Sequence, residues 1–202
     1  MTDTYFTIRE SSKGIYKEKG SKFLAHAFPV KSEEEIKDLL AGLRKEYHDA
    51  RHHCYAYRLG YENHLFRIND DGEPSGTAGR PIYGQILSKE LTQILIVVIR
   101  YFGGIKLGVP GLINAYKCAT NDALEQAEIM AATVREKYRI TFNYAAMNSV
   151  MKALKEGNAH ITSHDSGNEC SIEFLIRKNE GKNISLKLEN ISTISIALLG
   201  EI

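Results

Sequence analysis

This sequence is short of the features that most directly reveal a chemistry. It holds three cysteines, Cys54, Cys118 and Cys170, an odd number with no Cys-x-x-Cys spacing. Neither a disulfide framework nor a zinc ribbon can be assembled from them. The formal net charge is only +1, which removes the polyelectrolyte character of a general nucleic-acid or anionic-membrane binder. No apolar run approaches the ~20 residues that cross a bilayer. The first residues carry Asp3, Arg9 and Glu10 and hold no apolar signal-peptide core. The expectation is a soluble cytoplasmic protein with no membrane contact. There is no Gly-x-Ser-x-Gly elbow, no His-Glu-x-x-His helix, no internal repeat and no DNA-binding motif.

What is present is enough chain, 202 residues, for one large domain or two small ones, each with a core. The charge is unevenly spread. Between Thr77 and Asn121, Arg80, Lys89, Arg100, Lys106 and Lys117 face a single acid, Glu90, so a modest positive patch is expected there.

Short strands are expected at Tyr5–Glu10, Gly14–Lys19 and Lys22–Val30. Ser32 and Glu35 form a capping box, and Ile36, Leu39, Leu40, Leu43 and Tyr47 supply one apolar stripe, so a helix follows. His52–Tyr61 and His64–Ile68 read as a hairpin turning at Glu62-Asn63. Pro81 suits the first turn of a short helix to about Leu87. Ile94–Ile99 is a continuous apolar run, mostly β-branched, as in a strand buried on both faces. Pro110 can open a long helix. A second unit begins near Ala131-Ala132, with a strand at Thr133–Phe142, an Asn143-capped helix ended by Gly157, and a hairpin from His160 to Arg177. Ile184–Leu188 fits helix and strand periods alike, and Ser192–Leu199 closes as a strand. If the ambiguous piece is helical, the order is β-α-β-β-α-β, the ferredoxin-like arrangement. The fold class is α+β, with domains over 1–131 and 132–202.

Two glycine-rich segments flank the buried strand. The first is Asp70-Asp71-Gly72-Glu73-Pro74-Ser75-Gly76-Thr77-Ala78-Gly79-Arg80-Pro81, and the second runs from Arg100 through Gly103, Gly104, Lys106 and Gly108 to Gly111. In the second, glycines let backbone approach a phosphate, and the helix opening at Pro110 points its positive end there. The second segment is not a Walker loop, because Val109-Pro110 stands where Lys-Ser/Thr is required, and it has no dinucleotide fingerprint. The first lacks the alternating oxygen ligands of a calcium loop. Thr77 and Arg80 are better suited to a phosphate than its acids are to a metal. His52-His53-Cys54 do not converge as metal ligands, since alternate strand residues point oppositely. Arg51, His52, His53 and Arg58, with Tyr55 and Tyr57, read instead as an electropositive surface. No metal, cofactor or catalytic residue is expected.

At these segments the chain resembles the YigZ/IMPACT family. The carriers are Asp70–Pro81 (DDGEPSGTAGRP) and Val97–Gly108 (VVIRYFGGIKLG), with Lys19–Val30 (KGSKFLAHAFPV) and Ala50–Arg58 (ARHHCYAYR). The resemblance implies a first domain with the α+β fold of a small-subunit ribosomal protein and of elongation factor G domain IV. It implies a ferredoxin-like second domain similar to domain V of that factor. The family usually has glycine at Pro110 and a basic residue at Asn114, so this chain carries one charge fewer near the loop.

The expected function is a non-enzymatic, translation-associated binder of RNA or the ribosome. The contacts would be Arg51, His52, His53, Arg58, Thr77, Arg80, Arg100, Gly103, Gly104 and Lys106. Asp70, Asp71, Gly72, Glu73, Gly76, Gly79 and Gly108 would shape the loops. One alternative is an enzyme acting on a nucleotide or phosphorylated substrate, with Asp70, Asp71 and Glu73 as metal ligands or base. Another is a protein-interaction module with a protein partner.

Overall fold

The computed structural model describes residues 3–61, 65–167, 169–191 and 194–201. The chain divides into two compact units, Phe6–Ala132, and Thr133–Ile202 together with Met1–Tyr5. It opens with β1 (Thr4–Ile8), β2 (Ser12–Glu18), β3 (Ser21–Pro29) and α1 (Glu33–Glu46). There follow β4 (His52–Leu59), β5 (Leu65–Asn69), α2 (Gly79–Ser88), β6 (Ile94–Tyr101), α3 (Gly108–Glu125) and β7 (Ile129–Thr133). β1 and β7 pair as a two-stranded sheet, and the other five strands form a sheet of order β2-β3-β6-β4-β5. The turn expected at Glu62-Asn63 lies outside the described residues.

β6 is the middle strand, antiparallel to both β3 and β4. Its Ile94, Ile96 and Val98 pack with α2 and α3, while Leu95, Val97 and Ile99 pack on the side that holds Ile36 and Leu43 of α1. All six are fully buried, each contributing roughly 2 kcal/mol. That double burial is why the run lacks alternation. α1 begins as its sequence dictates: Ser32 Oγ accepts the Glu35 N–H at 3.2 Å. The Glu35 carboxylate reaches back to the Lys31 N–H at 2.7 Å, one residue earlier than a standard capping box.

The second unit contains β8 (Arg135–Phe142), a 3-10 turn at Tyr144–Ala146, α4 (Met147–Glu156), β9 (His160–Ser166), β10 (Cys170–Arg177), α5 (Lys178–Glu189) and β11 (Ile194–Glu201). Its sheet has the order β11-β8-β10-β9, antiparallel throughout. The ambiguous segment is helical, because Ile184 and Leu188 bury one turn apart. The single strand expected over Thr133–Phe142 is instead two, β7 and β8, broken at Val134. That residue gives its N–H to the Asp3 carbonyl at 2.8 Å and accepts the Lys178 N–H at 3.1 Å. The start expected for the last strand, Ser192, lies outside the described residues. Gly157 ends α4, but with φ −83°; the left-handed residue is Asn158, φ +51°. Gly157 also packs closely on α5: a Cβ there would lie 2.5 Å from Ile184 Cδ1, which would have to move. Asp3 joins this unit by a two-point ion pair with Arg177, 2.9 and 3.2 Å.

Candidate functional site

The site is built at the end of the five-stranded sheet where β6 finishes. Register places His52 of β4 and Phe23 of β3 on either side of Arg100. Asn69, the last residue of β5, lies opposite Tyr55, so the Asp70–Ala78 loop starts beside the same strand ends. The β2–β3 hairpin turns there too, through Lys19 (φ +46°) and Gly20 (φ +79°), the two-residue turn that suits twisted strands. Gly103 lies against that turn, and a Cβ on it would meet the Gly20 carbonyl carbon at 1.8 Å. Its N–H donates to Ser21 Oγ at 3.1 Å.

Inside this end lies a chain of polar contacts. Arg100 Nη1 meets Glu73 Oε1 at 2.7 Å, with 8% and 3% of the two side chains exposed. The Tyr116 hydroxyl of α3 donates to the same oxygen at 2.8 Å. Cys54 Sγ lies 3.3 Å from that hydroxyl and 2.9 Å from the Asp70 carbonyl. Burial pushes the Cys54 thiol and the Tyr116 phenol far above their ordinary ranges, so neither is a nucleophile or base near neutrality. The Arg100 guanidinium stands over the Phe23 and Phe102 rings at 5.5 and 5.6 Å.

The acidic loop is organised by its own carboxylates. Asp70 accepts the N–H groups of Gly76 (2.8 Å), Ala78 (3.0 Å) and Gly79 (2.8 Å), and so caps α2. Burial opposes ionisation of Asp70, but these three donors outweigh it and hold the carboxyl below the usual range. The start of α2 is thus occupied by a carboxylate of the chain itself. Asp71 accepts the His53 N–H at 2.7 Å and pairs with Arg44 at 3.1 Å. Its carbonyl lies 2.8 Å from His52 Nδ1. Thr77 is buried and gives its hydroxyl to the Pro74 carbonyl at 2.7 Å.

Sequence-based candidates therefore fall into three groups. Arg51, Arg80, Gly104 and Lys106 are exposed, and His52 and Gly103 are half-buried beside them. His53, Thr77 and Arg100 lie at the same end but are buried, and Arg100 serves Glu73. Arg58 is not brought to the others. It stands opposite Ile94 at the far end of β6, about 20 Å along the strand from His52, with Nη1 on the Leu91 carbonyl at 3.1 Å. Composition alone could not place it, because one strand carries it and His52 at opposite ends. Lys19 and Lys22, also exposed at the hairpin, were missed; they became visible only when Gly20 met Gly103. Tyr116 carries no local signal for this contact, since along the chain it is one more apolar position of a helix. α3 starts at Gly108, two residues before Pro110, with no acid in its first turn and no side-chain cap. The positive end of this helix and the exposed cations lie at the same rim.

The sequence model of the Impact N-terminal domain matches residues 19–124. The IMPACT family member YvyE of Bacillus subtilis is 33% identical over 180 residues, 89% of this chain and 83% of that protein. The IMPACT family member YigZ of Escherichia coli is 31% identical over 183 residues, covering 90% of each. A crystal structure of a hypothetical protein superposes with a TM-score of 0.75 at 26% identity, over 99% of both chains.

Proposed function

This chain belongs to the IMPACT family, and on that premise we propose that it is a translation-associated binding protein that contacts RNA or the ribosome. The observation that carries the reading is the exposed cationic rim of the Phe6–Ala132 unit. Arg51, Lys106, Lys19 and Lys22 gather around the close-packed Gly20 and Gly103 backbones, with Arg80 over Gly76 in the neighbouring loop. Such a set suits phosphate contacts that position a partner without reading its sequence. The reading as a binder rather than an enzyme is supported by where the acids go. Asp70 holds three backbone N–H groups, Asp71 holds His53 and Arg44, and Glu73 holds Arg100 and Tyr116. Each carboxylate that a nucleotide enzyme would use is engaged with the chain itself.

The proposal includes the architecture. Residues 1–131 are read as the IMPACT-type domain of the ribosomal-protein and elongation factor G domain IV kind, although the chain before Phe6 groups with the second unit, and 132–202 as ferredoxin-like. Support for the second is its strand-helix-strand-strand-helix-strand order and the sheet order β11-β8-β10-β9.

The test is co-sedimentation with ribosomes across a salt series, comparing the wild type with Arg51→Glu/Lys106→Glu. Binding should be salt-sensitive, and each removed phosphate contact should flatten the log–log salt slope by ~0.7–0.9. A protein absent from ribosomal fractions at low salt, or a charge-reversed variant that binds as well, overturns the reading.

A further inference from the structure

A groove on the face of the sheet that α1 covers is unused by this function. It runs between α1 and the end of β3, with a volume of about 590 Å³, within the range of binding clefts. Phe28, Pro29, Leu39 and Leu43 give it an apolar floor, and Glu35, Asp38 and Glu46 border it. We propose that this groove docks a basic amphipathic segment of a partner polypeptide, apolar side chains on the floor and lysines or arginines against Asp38 and Glu46, the Glu35 carboxylate being held by the Lys31 N–H.

Two residues that line the groove are poor choices for the helix they sit in. Gly42 lies mid-helix in α1, where glycine is among the least favourable residues. A Cβ there would meet nothing within 4 Å, so the folded chain does not require the glycine; its missing side chain keeps the groove open. Glu46 ends the helix, where the dipole disfavours a carboxylate, although it also bonds the Tyr47 hydroxyl. Local rules are broken most often where function needs it, and here both breaks border one apolar groove. The charge is of one sign: Lys13, opposite His26 in the β2–β3 register, does not line it. Acid borders over an apolar floor fit a basic amphipathic segment laid into a groove.

The probe is a fluorescein-labelled helical peptide with leucines on one face and lysines beside them, read by fluorescence anisotropy. A counterpart with glutamates for the lysines serves as control. The wild type should bind the lysine peptide and not the glutamate one. Gly42→Leu should weaken binding at least tenfold while melting no lower than the wild type. Gly84→Leu, an equally unobstructed exposed glycine in α2, should leave binding unchanged. Asp38→Lys/Glu46→Lys should abolish it. No binding of the lysine peptide up to about 1 mM, equal binding of both peptides, or a Gly42→Leu variant within twofold of wild type overturns the proposal.

Discussion

Glu73 Oε1 accepts from both Arg100 and Tyr116 in a setting almost closed to water, so the loop that carries it is tied at once to the sheet and to α3. A buried pair is costly to break because the remaining charge stays desolvated. Glu73→Gln should therefore lower stability by about 3–5 kcal/mol, read from urea unfolding with an unchanged slope. Arg100→Met combined with Glu73→Gln should recover much of that loss, since no lone charge remains. A Glu73→Gln variant within about 1 kcal/mol of wild type would mean that the pair does not hold the loop. From sequence, Arg100 looked like a free cation at a strand end; its partner lies 27 residues away in the chain, and no local pattern reports such a distance.

At the scale of elements, the candidate site is a meeting of turns. The Lys19-Gly20 hairpin and the loop after β6 approach until their backbones touch, and Gly103 is the residue that permits it. Gly103→Ala should destabilise the Phe6–Ala132 unit by on the order of 3 kcal/mol, because its new methyl group would fall on Gly20 backbone that has no room to yield. Gly84→Ala, with nothing near it, should instead stabilise by up to about 1 kcal/mol. Thermal unfolding of the two variants separates a packing role from mere chain flexibility: equal effects would deny the close approach. The glycines were legible as a loop signal, but which ones bear a contact was not. Gly103 and Gly104 look alike in sequence, yet only Gly103 faces another backbone.

At the scale of the whole molecule, the two units should respond differently to acid. Burial draws the His26 imidazole below its ordinary value, with Lys13 adding to the effect and Glu46 opposing it. Burial lowers His53 likewise, against the pull of Asp71. The folded Phe6–Ala132 unit thus binds fewer protons than its unfolded chain. The stability this confers is present above about pH 6.5 and is lost as pH falls below it. In the second unit the lowered groups are carboxylates. Hydrogen bonds from Arg177 hold down Asp3, and those from Lys137 and Arg139 hold down Glu173. Their stabilisation persists until pH falls to about 4 and below. Hydrogen exchange between pH 7 and 5, corrected for intrinsic rates, should show protection falling in Phe6–Ala132 and holding in Thr133–Ile202. A uniform change across both units would sink the expectation.

The sequence by itself determined the elements whose cause is local. The Ser32 cap of α1, the two-faced apolar run of β6 and the alternation of Cys170, Ile172, Phe174 and Ile176 in β10 are short-range patterns, so they could be read along the chain. It also determined the family, because the motifs that carry the resemblance are contiguous stretches. Tertiary structure alone decided the helical state of Ile184–Leu188, the break at Val134, the distant place of Arg58 and the internal use of Asp70, Glu73 and Arg100. Each of these depends on a partner far away in sequence: the core around Val150 and Leu154 against Ile184 and Leu188, Asp3 against Val134, Leu91 against Arg58, and Glu73 against Arg100. A one-dimensional pattern records which side chains are charged or apolar. Only the packed sheet decides which charges are neutralised inside and which remain exposed at the rim.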